Sequence, residues 1–114
     1  MHLPRDAVLL RIFIGENDRY GRMPLYEAIV LKAREAHLAG ATVLRGAIGF
    51  GHSSRIHTTK ILGLSEDLPI IVEIVDEGDK IQAFVEQLNG MLGSALVTLE
   101  KVQILQYGNG PVTS

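Results

Sequence analysis

An α+β sandwich, with two helices laid on one sheet, is predicted by three features of this 114-residue chain. Ala7–Ile14 and Pro69–Asp76 are apolar stretches that alternate with the two-residue period of strands. Two other segments, Leu25–Ala36 and Ile81–Met91, carry their apolar residues at helical spacing. Between the helical segments, a stretch rich in glycine and hydroxyls (Gly49–Lys60) separates a third apolar run, Thr42–Ile48, from Pro69–Asp76. A fourth, Ala95–Gln106, follows the second helical segment. That layout is strand, helix, two strands, helix, strand.

In Ala7–Ile14, Val8, Leu10, Ile12 and Ile14 fall on one side and Leu9, Arg11 and Phe13 on the other. A polar turn follows over Gly15–Arg22. Met23-Pro24 then opens a helix, where the missing proline N–H does little harm. Leu25, Ile29, Ala33 and Ala36 hold its spacing, and Gly40 stands where a C-terminal cap belongs. Thr42–Ile48 reads as a second strand in which Gly46 marks a bulge. Pro69–Asp76 is the third, with Ile70, Val72 and Ile74 on one side and Ile71, Glu73 and Val75 on the other. Asp76–Asp79 caps a second helix bearing Ile81, Phe84, Val85, Leu88 and Met91; Asn89-Gly90 and Gly93 close it. The last strand is Ala95–Gln106, whose alternation slips near Glu100-Lys101, so it is bulged or split. This β-α-β-β-α-β order is the ferredoxin-like arrangement. Both helices then cover one face of a four-stranded antiparallel sheet. Apolar residues on the opposite face predict association with further copies of the chain.

Composition narrows the function. Apolar residues make up 46% and charged residues 21%, a globular balance, and the formal net charge of −2 argues against nucleic-acid binding. With no cysteine, disulfides, thiolate metal sites and cysteine nucleophiles are excluded. The first apolar run is short, is interrupted by Arg11 and lacks a small-residue cleavage site, so it is a strand and not a signal peptide. The expectation is one soluble, cytoplasmic domain over residues 1–114, with a flexible tail at 107–114.

Positive charge is local. From Ala36 to Ser65 there is no aspartate or glutamate, while Arg45, Arg55, Lys60, His37, His52 and His57 all lie in that stretch. Gly46, Gly49 and Gly51 would let backbone approach an anion, and Arg45, Arg55 and Lys60 would supply charge. The glycines fit neither the dinucleotide GxGxxG pattern nor the Walker lysine motif; they would equally serve turns, and the cations an ordinary solvated loop. His52 and His57 are an alternative metal pair, with no carboxylate or thiol beside them to complete a ligand set. Ser53, Ser54, Thr58 and Thr59 lack a base-and-orienter pair, which argues against nucleophilic catalysis. GENDRYGR (Gly15–Arg22) is either a charged turn, pairing Glu16 or Asp18 with an arginine, or a place where Tyr20 or Tyr26 stacks on a base.

Three motifs in order, IFIGENDRYGRMPLYEAIV, GATVLRGAIGFGHSSRIHT and LSEDLPIIVEIVD, resemble the DUF190 family from Leu9 to about Val102. That family is similar in fold to the PII signalling proteins, ferredoxin-like homotrimers with adenine nucleotides in clefts between subunits beneath a long mobile loop. The resemblance implies that Thr42 touches a base, that Gly49, Phe50 and Gly51 line the cleft, and that Gly49–Lys60 is the loop. Gly90, Gly93 and Ser94 fall where PII proteins carry a phosphate loop, although no lysine precedes Lys101 there. Ser53 replaces the PII glutamine that holds 2-oxoglutarate and magnesium; the loop has no tyrosine, and the C-terminal arginines are absent. Fold and trimer therefore transfer, whereas ATP and 2-oxoglutarate do not. Family context further implies a fluoride channel of the membrane as a docking partner.

The expected function is a non-enzymatic, cytoplasmic sensor: a homotrimer binding a small anion, an adenine nucleotide foremost. Its expected ligand residues are Thr42, Arg45, Gly46, Gly49, Phe50, Gly51, His52, Ser53, Arg55, His57, Lys60, Gly90 and Gly93. The alternatives are a metal-handling trimer similar to divalent-cation tolerance proteins, using His52 and His57, and a module that only docks partners.

Overall fold

The computed structural model describes residues 4–50, 56–58 and 67–111. The elements run β1 (Asp6–Gly15), β2 (Arg19–Tyr20), β3 (Met23–Pro24), α1 (Leu25–Glu35), β4 (Thr42–Arg45), β5 (Ile48–Phe50) and β6 (Ile56–Thr58). They continue with β7 (Pro69–Asp76), α2 (Gly78–Gln87), β8 (Leu96–Gln103), β9 (Gln106–Tyr107) and β10 (Gly110–Pro111). Four strands form one antiparallel sheet in the order β4-β7-β1-β8, and the short strands pair as three ribbons, β2-β3, β5-β6 and β9-β10. The fold is the expected ferredoxin-like βαββαβ sandwich, with the ribbons added at its loops.

One face of the sheet makes the core. Leu10, Ile12 and Ile14 of β1 and Ile70, Val72 and Ile74 of β7 pack with Leu25, Ile29 and Ala33 of α1 and with Ile81, Phe84 and Leu88 from α2 and its end. Phe84 is 1% exposed; burying a side chain of that size contributes on the order of 1.5–3 kcal/mol. On the other face, cross-strand neighbours Leu9 and Val75, Arg11 and Glu73, and Phe13 and Ile71 are only half-buried.

Several boundaries differ from the sequence reading. The expected Thr42–Ile48 strand stops at Arg45. A Cβ on Gly46 would lie 2.7 Å from the Pro69 ring, so glycine lets this turn press against β7, where its N–H donates to the Pro69 carbonyl at 2.8 Å. Gly40 does not cap α1. His37 does, at φ 60°, with its N–H donating to Arg34 O and the Leu38 N–H to Ala33 O; these are the two bonds of a Schellman cap. Holding a non-glycine residue there costs on the order of 1 kcal/mol. The cap of α2 does fall within Asp76–Asp79: the N-cap is Glu77, without a side-chain cap bond of its own, and the Asp76 carboxylate accepts its N–H at 2.7 Å. Residues 106–111, most of which were expected to fray, form the β9-β10 hairpin around Gly108 (φ 68°) and Asn109. The last strand is neither bulged nor split near Glu100-Lys101: β8 runs unbroken from Leu96 to Gln103 in continuous register with β1. Gln106–Tyr107 belongs to the separate β9-β10 ribbon.

Candidate functional site

A groove of about 670 Å³ opens on the uncovered face. Its floor is Leu9, Glu73 and Val75, from β1 and β7. Ala39–Thr42, the turn into β4, makes one wall, and Val102–Tyr107, from the end of β8 to β9, makes the other. Among the described residues, no lysine, arginine or histidine lines it. Its size suits a small ligand, and its chemistry suits a flat, largely uncharged group with hydrogen-bonding edges.

The floor is electrostatically settled. Arg11 donates through Nε to Glu73 and through Nη1 to Glu100, each at 2.9 Å. The hydrogen bond to Glu73 is the chief cause that raises the Arg11 pKa above its already high ordinary value, with Glu100 adding to it. The guanidinium is therefore a fixed positive charge beside the groove.

The turn that forms the first wall is pinned from below. Asp76, 0% exposed, accepts the Ala39 N–H at 2.9 Å and the Glu77 N–H at 2.7 Å. Lys80 lies 3.9 Å from the same carboxylate and donates to the His37 carbonyl at 3.1 Å. A buried carboxylate is tolerated because both of its oxygens are engaged.

Beyond Thr42, β4 leads to a second group of site candidates. Arg45 lies three residues along the strand, roughly 10 Å from Thr42. Its guanidinium pairs with Glu16 at 2.6 Å, so the GENDRYGR cluster serves as a charged turn that neutralises a cation of the acid-free stretch. Two bonds knit that turn to the start of β7: the Glu16 N–H donates to Leu68 O at 2.7 Å, and the Asn17 N–H to the Asp67 carboxylate at 2.7 Å. Gly49 pairs with His57, and Phe50 with Ile56, across the β5-β6 ribbon. A Cβ on Gly49 would lie 3.3 Å from the Pro69 ring, which is a packing reason for glycine independent of any ligand.

Among the described site candidates, Thr42 alone lines the groove; Arg45, Gly46 and Gly49 gather at the nearby strand end. Gly51, His52, Ser53, Arg55 and Lys60 lie outside the described residues, as does most of the Gly49–Lys60 loop. Gly90 (φ 89°) and Gly93 (φ 62°) border a separate hollow with Val85 and Leu92, next to the β8 edge. Since β4 and β8 are the two outer strands, three spacings of roughly 4.8 Å apart, Gly90 and Gly93 do not meet Thr42 within one chain. Among the described residues, no group of three or more His, Asp or Glu side chains is placed to hold a metal ion. No described helix is long and apolar enough to cross a membrane.

Sequence reasoning missed the second wall. Gln106-Tyr107-Gly108-Asn109-Gly110-Pro111 carries a detectable hairpin pattern, a Gly-Asn pair between two short flanks. The Asp76–Ala39 bond left no such trace, because its partners lie 37 residues apart.

The four-stranded sheet with its two helices is similar in fold to PII-like proteins of known structure. The model of the DUF190 family (Uncharacterized ACR) matches residues 7–104, and the chain belongs to that family. A UPF0166 protein of Aquifex aeolicus is 39% identical over 97 residues, covering 85% of this chain and 91% of the relative. A UPF0166 protein of Methanocaldococcus jannaschii is 30% identical over 82 residues, covering 72% and 75%. Among solved structures, CPII of Thiomonas intermedia, a nitrogen regulatory PII-like protein bound to ADP, AMP and bicarbonate, is similar at TM-score 0.66 and 14% identity, covering 87% of this chain and 88% of CPII. A PII-like signalling protein of Thermus thermophilus aligns at TM-score 0.62 and 16% identity over 91% of this chain and 93% of its own. At these identities the likeness establishes the fold.

Proposed function

We propose that this protein is a non-enzymatic, PII-like regulator of the cytoplasm that binds an adenine nucleotide, its base in the groove beside Thr42 and its phosphates toward Arg45. The observation that carries this reading is the separation of chemistry along β4. Among the described residues no lysine, arginine or histidine lines the groove, whereas Arg45 lies roughly 10 Å further on at the end of β4. Arg45 is paired with Ile70 and so lies on the face opposite Thr42, and the phosphates would turn round the strand end to reach it. A nucleotide has the same polarity, a flat neutral base at one end and anions at the other. CPII, which shares the fold, is bound to ADP and AMP, in keeping with this assignment.

Assembly completes the site in this reading. Gly90 and Gly93 lie toward one outer strand and Arg45 and Gly46 on the other, so a closed ring of copies would set the β8 edge of one chain against the β4 edge of the next. A homotrimer is the assembly proposed. It would also cover Leu44 and Leu96, which are 44% and 59% exposed in the single chain. Gly51, His52, Ser53, Arg55, His57 and Lys60 would act from the loop above the phosphates, and that loop would dock on a membrane partner, for which the family context suggests a fluoride channel.

The test is a thermal-shift series with ADP, AMP, adenosine, 2-oxoglutarate and zinc. A ligand binding only the folded protein at about a hundred times its Kd adds roughly 2.7 kcal/mol. ADP is expected to raise Tm, adenosine to do so more weakly, and Arg45→Ala to remove the difference between them. A shift with zinc alone would overturn the nucleotide reading in favour of the metal-handling alternative.

A further inference from the structure

The turn between α1 and β4 is held by side chains from three elements distant in sequence. Buried Asp76 takes the Ala39 N–H, Lys80 takes the His37 carbonyl, and the Tyr107 hydroxyl donates to the Ala39 carbonyl at 2.9 Å. Both polar backbone groups of Ala39 are thus claimed by side chains, one from the core side and one from the C-terminal hairpin. A turn fixed in this way, through a residue in the left-handed region, is over-determined.

The path of the chain to Tyr107 is equally constrained. At Ile104, just past the β8 edge strand, the backbone is still tied to the start of β1, its N–H donating to Arg5 O at 2.7 Å. Three residues later, Tyr107 reaches Ala39, which precedes β4 on the opposite edge of the sheet. The gap is three strand spacings, roughly 14 Å, whereas three extended residues advance at most about 11 Å, so the Tyr107 side chain spans the remainder. The segment therefore crosses the end of the open face as a strap with little slack. On the strap, Leu105 lines the groove and is 69% exposed, the most exposed of the large apolar side chains described.

We propose that the C-terminal hairpin is a clasp: it supplies the second wall of the groove and sets its width through the Tyr107–Ala39 bond, with Leu105 as the apolar surface for a purine ring. This rests on the reading that the groove takes a base. Tyr107 is a positioning residue, acting on the ligand through Ala39 and Thr42. Because the clasp closes within one chain, the groove is formed before ligand or partner arrives, and an arrangement fixed in advance binds with less ordering cost.

The test uses full-length wild-type protein, Tyr107→Phe, Leu105→Ser and, as a control, Tyr20→Phe, an exposed tyrosine outside the groove. Amide exchange without ligand is read first. Tyr107→Phe, which loses only the hydroxyl, is expected to speed exchange of the Ala39 amide by roughly 2- to 10-fold, the worth of one hydrogen bond. Tyr20→Phe is expected to leave it unchanged. Unchanged exchange in Tyr107→Phe overturns the clasp, whether or not a nucleotide binds. ADP titration is read second. Tyr107→Phe is expected to weaken binding roughly 2- to 10-fold, and Leu105→Ser to weaken adenosine and ADP by the same factor. Failure of the wild type to bind ADP overturns the base reading and, with it, the role of Leu105, while the exchange experiment still decides the clasp. Wild-type affinity in Leu105→Ser overturns the wall.

Discussion

The two faces of the sheet are built from the same strands and differ in almost everything else. On the helix side, Leu10, Ile12, Val72, Ile29 and Ile81 are all 0% exposed. On the other side, one residue along each strand, Leu9, Phe13, Ile71 and Val75 are half-buried, and the centre is an ion-paired cluster of Arg11 with Glu73 and Glu100. Strand alternation hands each face its residues, but the helices decide which face becomes core. A dry face fixes the fold. A half-dry face with charges at its centre remains available for a ligand and for neighbouring copies, and the groove lies there.

The largest break in this contrast comes from the dry face. Phe84→Ala is expected to lower stability by about 3–5 kcal/mol, read by urea denaturation, because the cavity has no solvent route to close. A loss under about 1 kcal/mol would mean the helix layer is not the core.

Next is Asp76→Asn, at the boundary between core and groove. An amide accepts through one oxygen, so one of the two backbone N–H groups, Ala39 or Glu77, loses its partner, at about 1–3 kcal/mol. The same variant should reduce ADP affinity, since Ala39 leads the chain into Thr42. Full ADP affinity together with lowered stability would separate the turn from the site.

On the open face the order of effects reverses. Leu96→Lys is expected to change the stability of the single chain by no more than about 0.5 kcal/mol, as at other exposed sites. If the chain forms the proposed homotrimer, the same variant should sediment as a monomer. An undisturbed mass would place the interface elsewhere.

The smallest effect belongs to Glu16→Gln, which removes a half-exposed ion pair worth about 0–1 kcal/mol to Arg45. Its stability change should disappear at 1 M salt, where screening is nearly complete. Arg11 should add no pH dependence near neutrality. Its folded pKa is raised, so its contribution is complete below the ordinary arginine pKa and is lost only as pH climbs through the still higher folded value. A titration of stability between about pH 6 and 9 that depended on Arg11 would contradict this.

How much of this was legible beforehand follows from the range of each interaction. Period-two runs such as Ala7–Ile14 and the helical spacing of Ile81, Phe84 and Leu88 are local patterns, and they placed the sheet, both helices and the core. Caps were less legible. His37 takes a position that glycine favours because Asp76, Lys80 and Tyr107 hold the turn around it, and no local pattern announces three distant partners. A pairing of Glu16 or Asp18 with an arginine was legible in GENDRYGR, but not that the arginine is Arg45, 29 residues away from Glu16. Thr42 was legible through family resemblance, whereas the wall opposite it depended on a hairpin read as a fraying end.

The central claim is that a nucleotide base occupies the groove on the open face. Backbone amide NMR of the full-length protein during titration with ADP tests it most directly. The account predicts saturable shifts concentrated at Gly40–Thr42, Val75 and Leu105–Tyr107, with the amides of Ile12 and Val72 on the helix side nearly unmoved. Saturation with no shift at Gly40–Thr42, or shifts confined to residues away from the groove, would contradict it.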